Sequence, residues 1–143
     1  MDEYNALTAQ HAIVFTDTFE AFDPLRPSVA AMGQAIANVA SHEIGHLLGL
    51  VHTKEPHDIM DVTASLRQLL GEQVFGRAPI YSTVFPLGDQ DSTQMLLDAV
   101  GGDPDAARAA AVAIDPKDPV WQKTNDPPGR DVVLLGGCGL HQE

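Results

Sequence analysis

The chain has 143 residues, which is enough for one domain with a buried core. Its formal net charge is -12 at pH 7, and no basic patch could neutralise phosphates, so nucleic acid is excluded as an expected partner. The apolar runs are too short to span a bilayer, and we expect no membrane-spanning helix. A solvated acidic surface explains the charge, with calcium binding as the functional alternative.

The cysteine count and the start of the chain bear on its compartment. Cys138 is the single cysteine, so no intrachain disulfide can form and nothing indicates an oxidising environment. Residues 1–4 are acidic and no apolar core follows them, so the chain shows no signal peptide. Two expectations stay open: the protein is intracellular, or its true N-terminus has been lost.

The first predicted elements are a strand, a loop and a long helix. Ala12–Thr16 combines β-branched and aromatic residues and predicts a strand, and Phe19–Pro27 carries two prolines and predicts a loop. Ser28 is a good N-cap for an alanine-rich helix that runs to about Leu48.

Two features of this helix predict how it packs. Four apolar residues recur at helical spacing and should face the core: Met32, Ile36, Val39 and Leu47. Gly33 and Gly45 lower the helix propensity, so we expect each to allow a close approach of neighbouring atoms.

The pattern H-E-x-x-H-x-x-G-x-x-H starts at His42, in the last part of the predicted helix, and continues beyond the helix to His52. Residues four apart lie on one helix face, so His42 and His46 can occupy two corners of a tetrahedral zinc site. Gly49 can adopt a left-handed conformation, which ends the helix and lets His52 return as a third ligand. Three protein ligands leave one position open for water, which is the catalytic arrangement. Glu43 can reach that water without being a ligand.

This pattern resembles the zinc motif of the metzincin metallopeptidases, and Leu47–Leu50 with His52 is similar to the matrixin type. Metzincins place a methionine in a tight turn beneath the zinc site, and Met60 lies at a suitable distance for this Met-turn. Asp61 stands where some metzincins carry a tyrosine ligand. The turn is also the expected neighbour of Gly45.

The resemblance implies an α+β fold: a metzincin-like catalytic domain with a long zinc-binding helix, a Met-turn and a C-terminal helix, its N-terminal sheet largely truncated. It implies a zinc-dependent endopeptidase acting on a peptide or protein substrate. Three histidines would hold Zn²⁺, Glu43 would act as general base, and Met60 would be structural; the three ligands are His42, His46 and His52. The family is commonly secreted. The oligomeric state is left open.

The chain after the Met-turn has a helical pattern over Val62–Gly71 and is irregular over Phe75–Leu87. In the family this part walls the specificity pocket. Ile80, Tyr81 and Val84 are candidates by position, with a packed loop as the alternative. His57 either assists the site or is a solvent-facing turn residue, and the isolated histidines are predicted to be surface residues: His11 and His141.

The C-terminal part begins with a helix capped by Asp91 and Ser92, which closes at Gly101-Gly102. Residues 88–91 could bind calcium, although a turn leading into the N-cap explains them as well. Residues 104–114 predict an alanine-rich helix that completes a domain over 1–114. Residues 115–143 predict a Pro-rich acidic tail or linker, in which 132–135 could form a strand.

Two other functions remain open. The chain could be a non-catalytic zinc-binding remnant that acts as an interaction module, because only one strand is predicted before the zinc helix. That single strand also predicts marginal stability and weak proteolysis, unless the chain dimerises or residues 132–135 pair with it. A zincin with a glutamate as third ligand is the other alternative, and His52 argues against it.

Overall fold

The computed structural model describes residues 11–103 and Asp105, which form an α+β structure as predicted. A 3₁₀ helix comes first and is followed by three α-helices and two short strands. In chain order they are the 3₁₀ helix Thr16–Leu25, α1 Val29–Leu47, α2 Leu66–Leu69, β1 Arg77–Pro79, β2 Asp89–Asp91 and α3 Ser92–Val100. No helix in the described ranges is long and apolar enough to cross a bilayer. The predicted domain boundary at 114, the helix over 104–114 and the strand at 132–135 lie outside the described residues, Asp105 excepted.

Helix α1 begins and ends where its sequence predicts. The Ser28 hydroxyl accepts a hydrogen bond from the Ala31 N–H at 3.1 Å, which satisfies one of the free donors of the first turn. The helix ends at Leu47, and two residues later Gly49 has a φ of 93°. This left-handed region costs glycine little, so the chain can leave the helix axis there.

The main core lies between α1, the 3₁₀ helix and α2. Phe19 and Phe22 stack with ring centroids 5.7 Å apart, and both are buried. Val39 is buried against them, and Met32 and Ile36 pack at the edge of the same cluster, so these members of the predicted apolar stripe are confirmed as core. The Asn38 side chain fixes the end of α2 by donating to the carbonyl of its last residue, Leu69, at 3.0 Å and to that of Gly71, two residues later, at 2.8 Å.

The predicted strand at Ala12–Thr16 is wrong. Residues 11–15 have no regular structure, and Thr16 begins the 3₁₀ helix. A strand needs a hydrogen-bonded neighbour, and within the described residues no strand precedes α1. Ile13 and Phe15 therefore remain mostly exposed, at 69% each. The predicted loop over Phe19–Pro27 is wrong for the residues up to Leu25, which belong to the 3₁₀ helix.

The two strands form an antiparallel pair, in which β1 lies in the segment predicted to be irregular and β2 in the predicted turn at 88–91. Arg77 faces Asp91 and Pro79 faces Asp89 across this pair. The acidic residues of β2 have protein partners: Asp89 accepts from the Arg77 guanidinium at 3.2 Å, and the Asp91 side chain caps α3 through the Gln94 N–H. The calcium alternative at residues 88–91 therefore has no support, and the N-cap prediction is confirmed.

Candidate metal centre

Helix α1 and the segment after it bring the three predicted histidines together. His42 and His46, one turn apart, have their Nε2 atoms 3.1 Å from each other. The His52 Nε2 lies 3.0 Å from that of His46. These residues form the single cluster of three or more potential metal ligands in the described part of the chain, with ligand atoms all within 4.8 Å.

Backbone carbonyls determine which ring nitrogens face the cluster. The His42 Nδ1 lies 2.7 Å from the Ile59 oxygen, and the His46 Nδ1 lies 2.9 Å from the Leu50 oxygen. A carbonyl can only accept, so each Nδ1 carries the proton of a neutral ring and each Nε2 presents its lone pair. Two bare lone pairs at 3.1 Å repel each other, and a shared cation removes that repulsion.

The donor set therefore fits a divalent metal ion. Zn–N bonds of about 2.0–2.1 Å in tetrahedral geometry place ligand nitrogens about 3.3 Å apart. The observed separations of 3.1 and 3.0 Å are close to that value. Imidazole nitrogen is a ligand that zinc prefers, and the carbonyl partners orient the rings in the way typical of zinc sites.

Burial keeps His42 and His52 neutral. Desolvation by burial lowers the pKa of His42 to about 4, against the opposing effect of its hydrogen bond to the Ile59 carbonyl, and the His46 and His52 rings add to the lowering. Desolvation, followed by His46, lowers the pKa of His52 to about 4 as well. Both rings are therefore neutral at pH 7, which is the form that binds a metal.

Glu43, the predicted base, follows His42 directly on α1 and is partly exposed. The adjacent ligand candidate, His42, is 1% exposed.

Met60 lies in a tight turn packed on α1. The Asp61 N–H donates to the Asp58 carbonyl at 3.0 Å, which leaves Ile59 and Met60 at the centre of the turn. Met60 is fully buried. A Cβ atom on Gly45 would collide with the Met60 sulfur, so the close approach predicted for Gly45 is confirmed. The same prediction for Gly33 is wrong, because an added Cβ there meets no described atom within 4 Å.

Asp58 is a buried residue of this turn that sequence reasoning missed. Its carboxylate accepts from the Thr53 hydroxyl at 3.0 Å, the Met60 N–H at 2.9 Å and the Gly76 N–H at 2.8 Å. Burial raises its pKa, against the effect of these hydrogen bonds. An aspartate two residues before the turn methionine is the available sequence signal, because such side chains often accept from the backbone two residues on.

Asp61, the residue that replaces the tyrosine ligand of some metzincins, is also buried. Its carboxylate accepts from the N–H and the hydroxyl of Thr63, at 2.6 and 2.8 Å. Burial raises the pKa of Asp61 to about 6, and the nearby Asp58 adds to the rise. The side chain thus organises the chain after the Met-turn and is not a member of the histidine cluster.

The segment predicted to wall a specificity pocket runs beside the third histidine. The Tyr81 N–H donates to the His52 carbonyl at 2.8 Å, and Ile80 forms an isolated bridge with Thr53. Val84 lies farther along and is 83% exposed. His57 is outside the histidine cluster and pairs with the Glu55 carboxylate at 2.8 Å.

Among the comparisons with known proteins, a family model matches the part of the chain that carries the histidines. The family model described as matrixin matches residues 3–71. Over these residues the chain is similar to the matrixin family. This matrixin segment contains α1, the three histidines and the Met60 turn, and it ends before β1. No curated protein and no solved structure matches the chain.

Proposed function

We propose that the protein is a zinc-dependent metalloendopeptidase. The observation that carries the proposal is the convergence of the three histidine ligand atoms within a matrixin segment. His42, His46 and His52 would hold one zinc ion through these atoms. When bound, zinc lowers the pKa of a bound water to near neutrality and polarises a carbonyl group.

The chain's own residues then supply the proton transfers and the orientation of the site. Glu43 accepts a proton from the attacking water at its carboxylate and returns it to the nitrogen of the leaving amine as the peptide C–N bond breaks. The Ile59 and Leu50 carbonyls hold His42 and His46 in the required tautomer. Met60 provides a soft apolar floor against α1 and does not take part in the reaction.

The substrate class follows from the family, whose members act on peptides and proteins. In this proposal the backbone at Ile80 and Tyr81, which is attached to the His52 segment, borders the bound substrate. Secretion stays a prediction from the family resemblance.

The proposal is tested by metal analysis of the purified chain together with a peptide-library cleavage assay. We expect about one zinc per molecule and cleavage that stops when a chelator removes the metal and returns when zinc is added. A chain that binds no zinc, or cleaves equally with and without it, would contradict the proposal.

A non-catalytic zinc-binding interaction module is the second candidate. It is favoured by the observation that no strand of the described residues precedes α1, so that part offers no strand edge to align a peptide backbone. This alternative predicts a zinc-loaded, folded chain that cleaves no member of the library.

A further inference from the structure

The buried side chain of Gln90 pairs with the backbone of Val51, the residue before the third histidine. Its Oε1 accepts from the Val51 N–H at 2.8 Å, and its Nε2 donates to the Val51 carbonyl at 3.0 Å. The same Nε2 donates to the Ser92 hydroxyl at 3.1 Å. Gln90 is 4% exposed and lies in β2, 39 residues from its backbone partner. One amide thus satisfies both backbone groups of one residue, as a neighbouring strand would.

This pairing occurs where the chain has no regular structure of its own. His42 and His46 are positioned by α1, but His52 belongs to the irregular segment after Gly49. In that segment the Leu50 carbonyl faces the His46 Nδ1, and the His52 carbonyl accepts from the Tyr81 N–H. Val51 lies between these two contacts. The orientation of its peptide groups therefore helps to set where the next side chain points.

We propose that Gln90 is a positioning residue for His52. It contacts neither the metal position nor the substrate, and it acts through the two peptide groups of Val51. The proposal rests on the proposed function in one respect, because it takes His52 as a zinc ligand. It adds that β2, a strand outside the matrixin segment, controls the geometry of the third ligand.

Gln90→Met tests this role, because methionine keeps a similar length and removes all three amide hydrogen bonds. We expect its zinc affinity, measured by competition with a chromogenic chelator, to fall by about 10–100-fold, the range seen when groups that orient metal ligands are removed. The visible absorption of the cobalt(II)-loaded protein should change in shape, because the ligand field changes. Gln94→Met is the matched control, since Gln94 bonds to the exposed Asp98 on α3. It should change neither measurement.

A double-mutant cycle separates positioning of His52 from a general loss of stability. His52→Ala should itself weaken zinc binding, and adding Gln90→Met to that variant should weaken it little further. An equal additional loss with and without His52 would show that Gln90 only stabilises the fold and would overturn the proposal. So would an unchanged zinc affinity and cobalt spectrum in Gln90→Met.

The two proposals fail in different ways. If His52→Ala keeps the full zinc affinity, the ligand assignment in the proposed function fails. If His52→Ala loses zinc but Gln90→Met does not, only the role of Gln90 fails. Should Gln90→Met not fold, the cycle is run with Gln90→Glu, which keeps an acceptor for the Val51 N–H and loses the donor to its carbonyl. Coupling to His52 then supports the proposal, and its absence overturns it.

Discussion

The matrixin segment and the described residues after it, 72–103, contribute differently to the site. The first region carries the histidines, Glu43 and Met60, in a motif that is compact in sequence. The second region contributes none of these groups. It does form hydrogen bonds with the Met60 turn and with the segment that contains His52. The Gly76 N–H binds Asp58, and the Tyr81 N–H and the Gln90 amide bind the segment of the third histidine. The family match therefore contains the proposed chemistry but only part of its support.

The largest expected effect falls within the matrixin segment. Glu43→Gln keeps the shape of the side chain and removes the base, so peptidase activity should fall by at least about 10²–10⁴-fold. Zinc content should not change, because the carboxylate is not a ligand. Glu20→Gln, in the exposed part of the 3₁₀ helix, is the control and should keep full activity. Equal activity in Glu43→Gln and the parent would exclude Glu43 as the base.

The next effect tests whether the two regions depend on each other. Asp58→Ala leaves the Thr53 hydroxyl, the Met60 N–H and the Gly76 N–H without their acceptor. Because each unpaired buried donor costs about 1–3 kcal/mol, the free energy of unfolding should fall by more than about 2 kcal/mol in a urea titration. Asp98→Ala removes an exposed carboxylate and is the control. Its free energy of unfolding should fall by less than about 0.5 kcal/mol. Similar losses in both variants would show that the two regions are not coupled through Asp58.

A pair of glycines in α1 should respond in opposite directions. Gly45→Ala places a methyl group against the buried Met60 sulfur, and such overpacking costs about 1–3 kcal/mol. Gly33→Ala meets open space, so it should stabilise the helix by up to about 1 kcal/mol. Thermal melting of both variants measures the difference. Equal stabilisation by the two alanines would mean that the turn does not pack tightly on α1.

The smallest effect concerns Met60 itself. Met60→Leu nearly conserves the volume of the side chain, so the free energy of unfolding should fall by less than about 1.5 kcal/mol. The variant should still bind zinc and keep part of its activity. A Met60→Leu variant that folds and binds zinc but has no activity would contradict a purely structural role of Met60 and would mean that its thioether takes part in the chemistry.

The comparison also explains what the sequence could predict. The histidine spacing, the Ser28 cap, the Gly49 turn and the Asp91 cap are local signals, and the structure has each group where the pattern predicts it. The roles of the histidines, Glu43 and Met60 stay predictions, as does the expected marginal stability.

Long-range partners were beyond local patterns. The strand predicted at Ala12–Thr16 has strand-like composition but no strand to pair with among the described residues before α1. Gln90 and Val51 are 39 residues apart, and Asp58 and Gly76 are 18 apart, so only the folded chain shows that they meet. Propensity and residue spacing indicate interactions between residues that are close in sequence. These contacts join residues that are far apart in sequence.

Zinc stoichiometry tests the central claim most directly. The purified chain should hold about one zinc ion per molecule, and replacing His42, His46 or His52 by alanine should remove most of it. His57→Ala, a histidine outside the cluster, is the matched control and should keep its zinc. Full zinc occupancy in any of the three cluster variants, or loss of zinc in the control, would contradict the assignment of these histidines as the metal site.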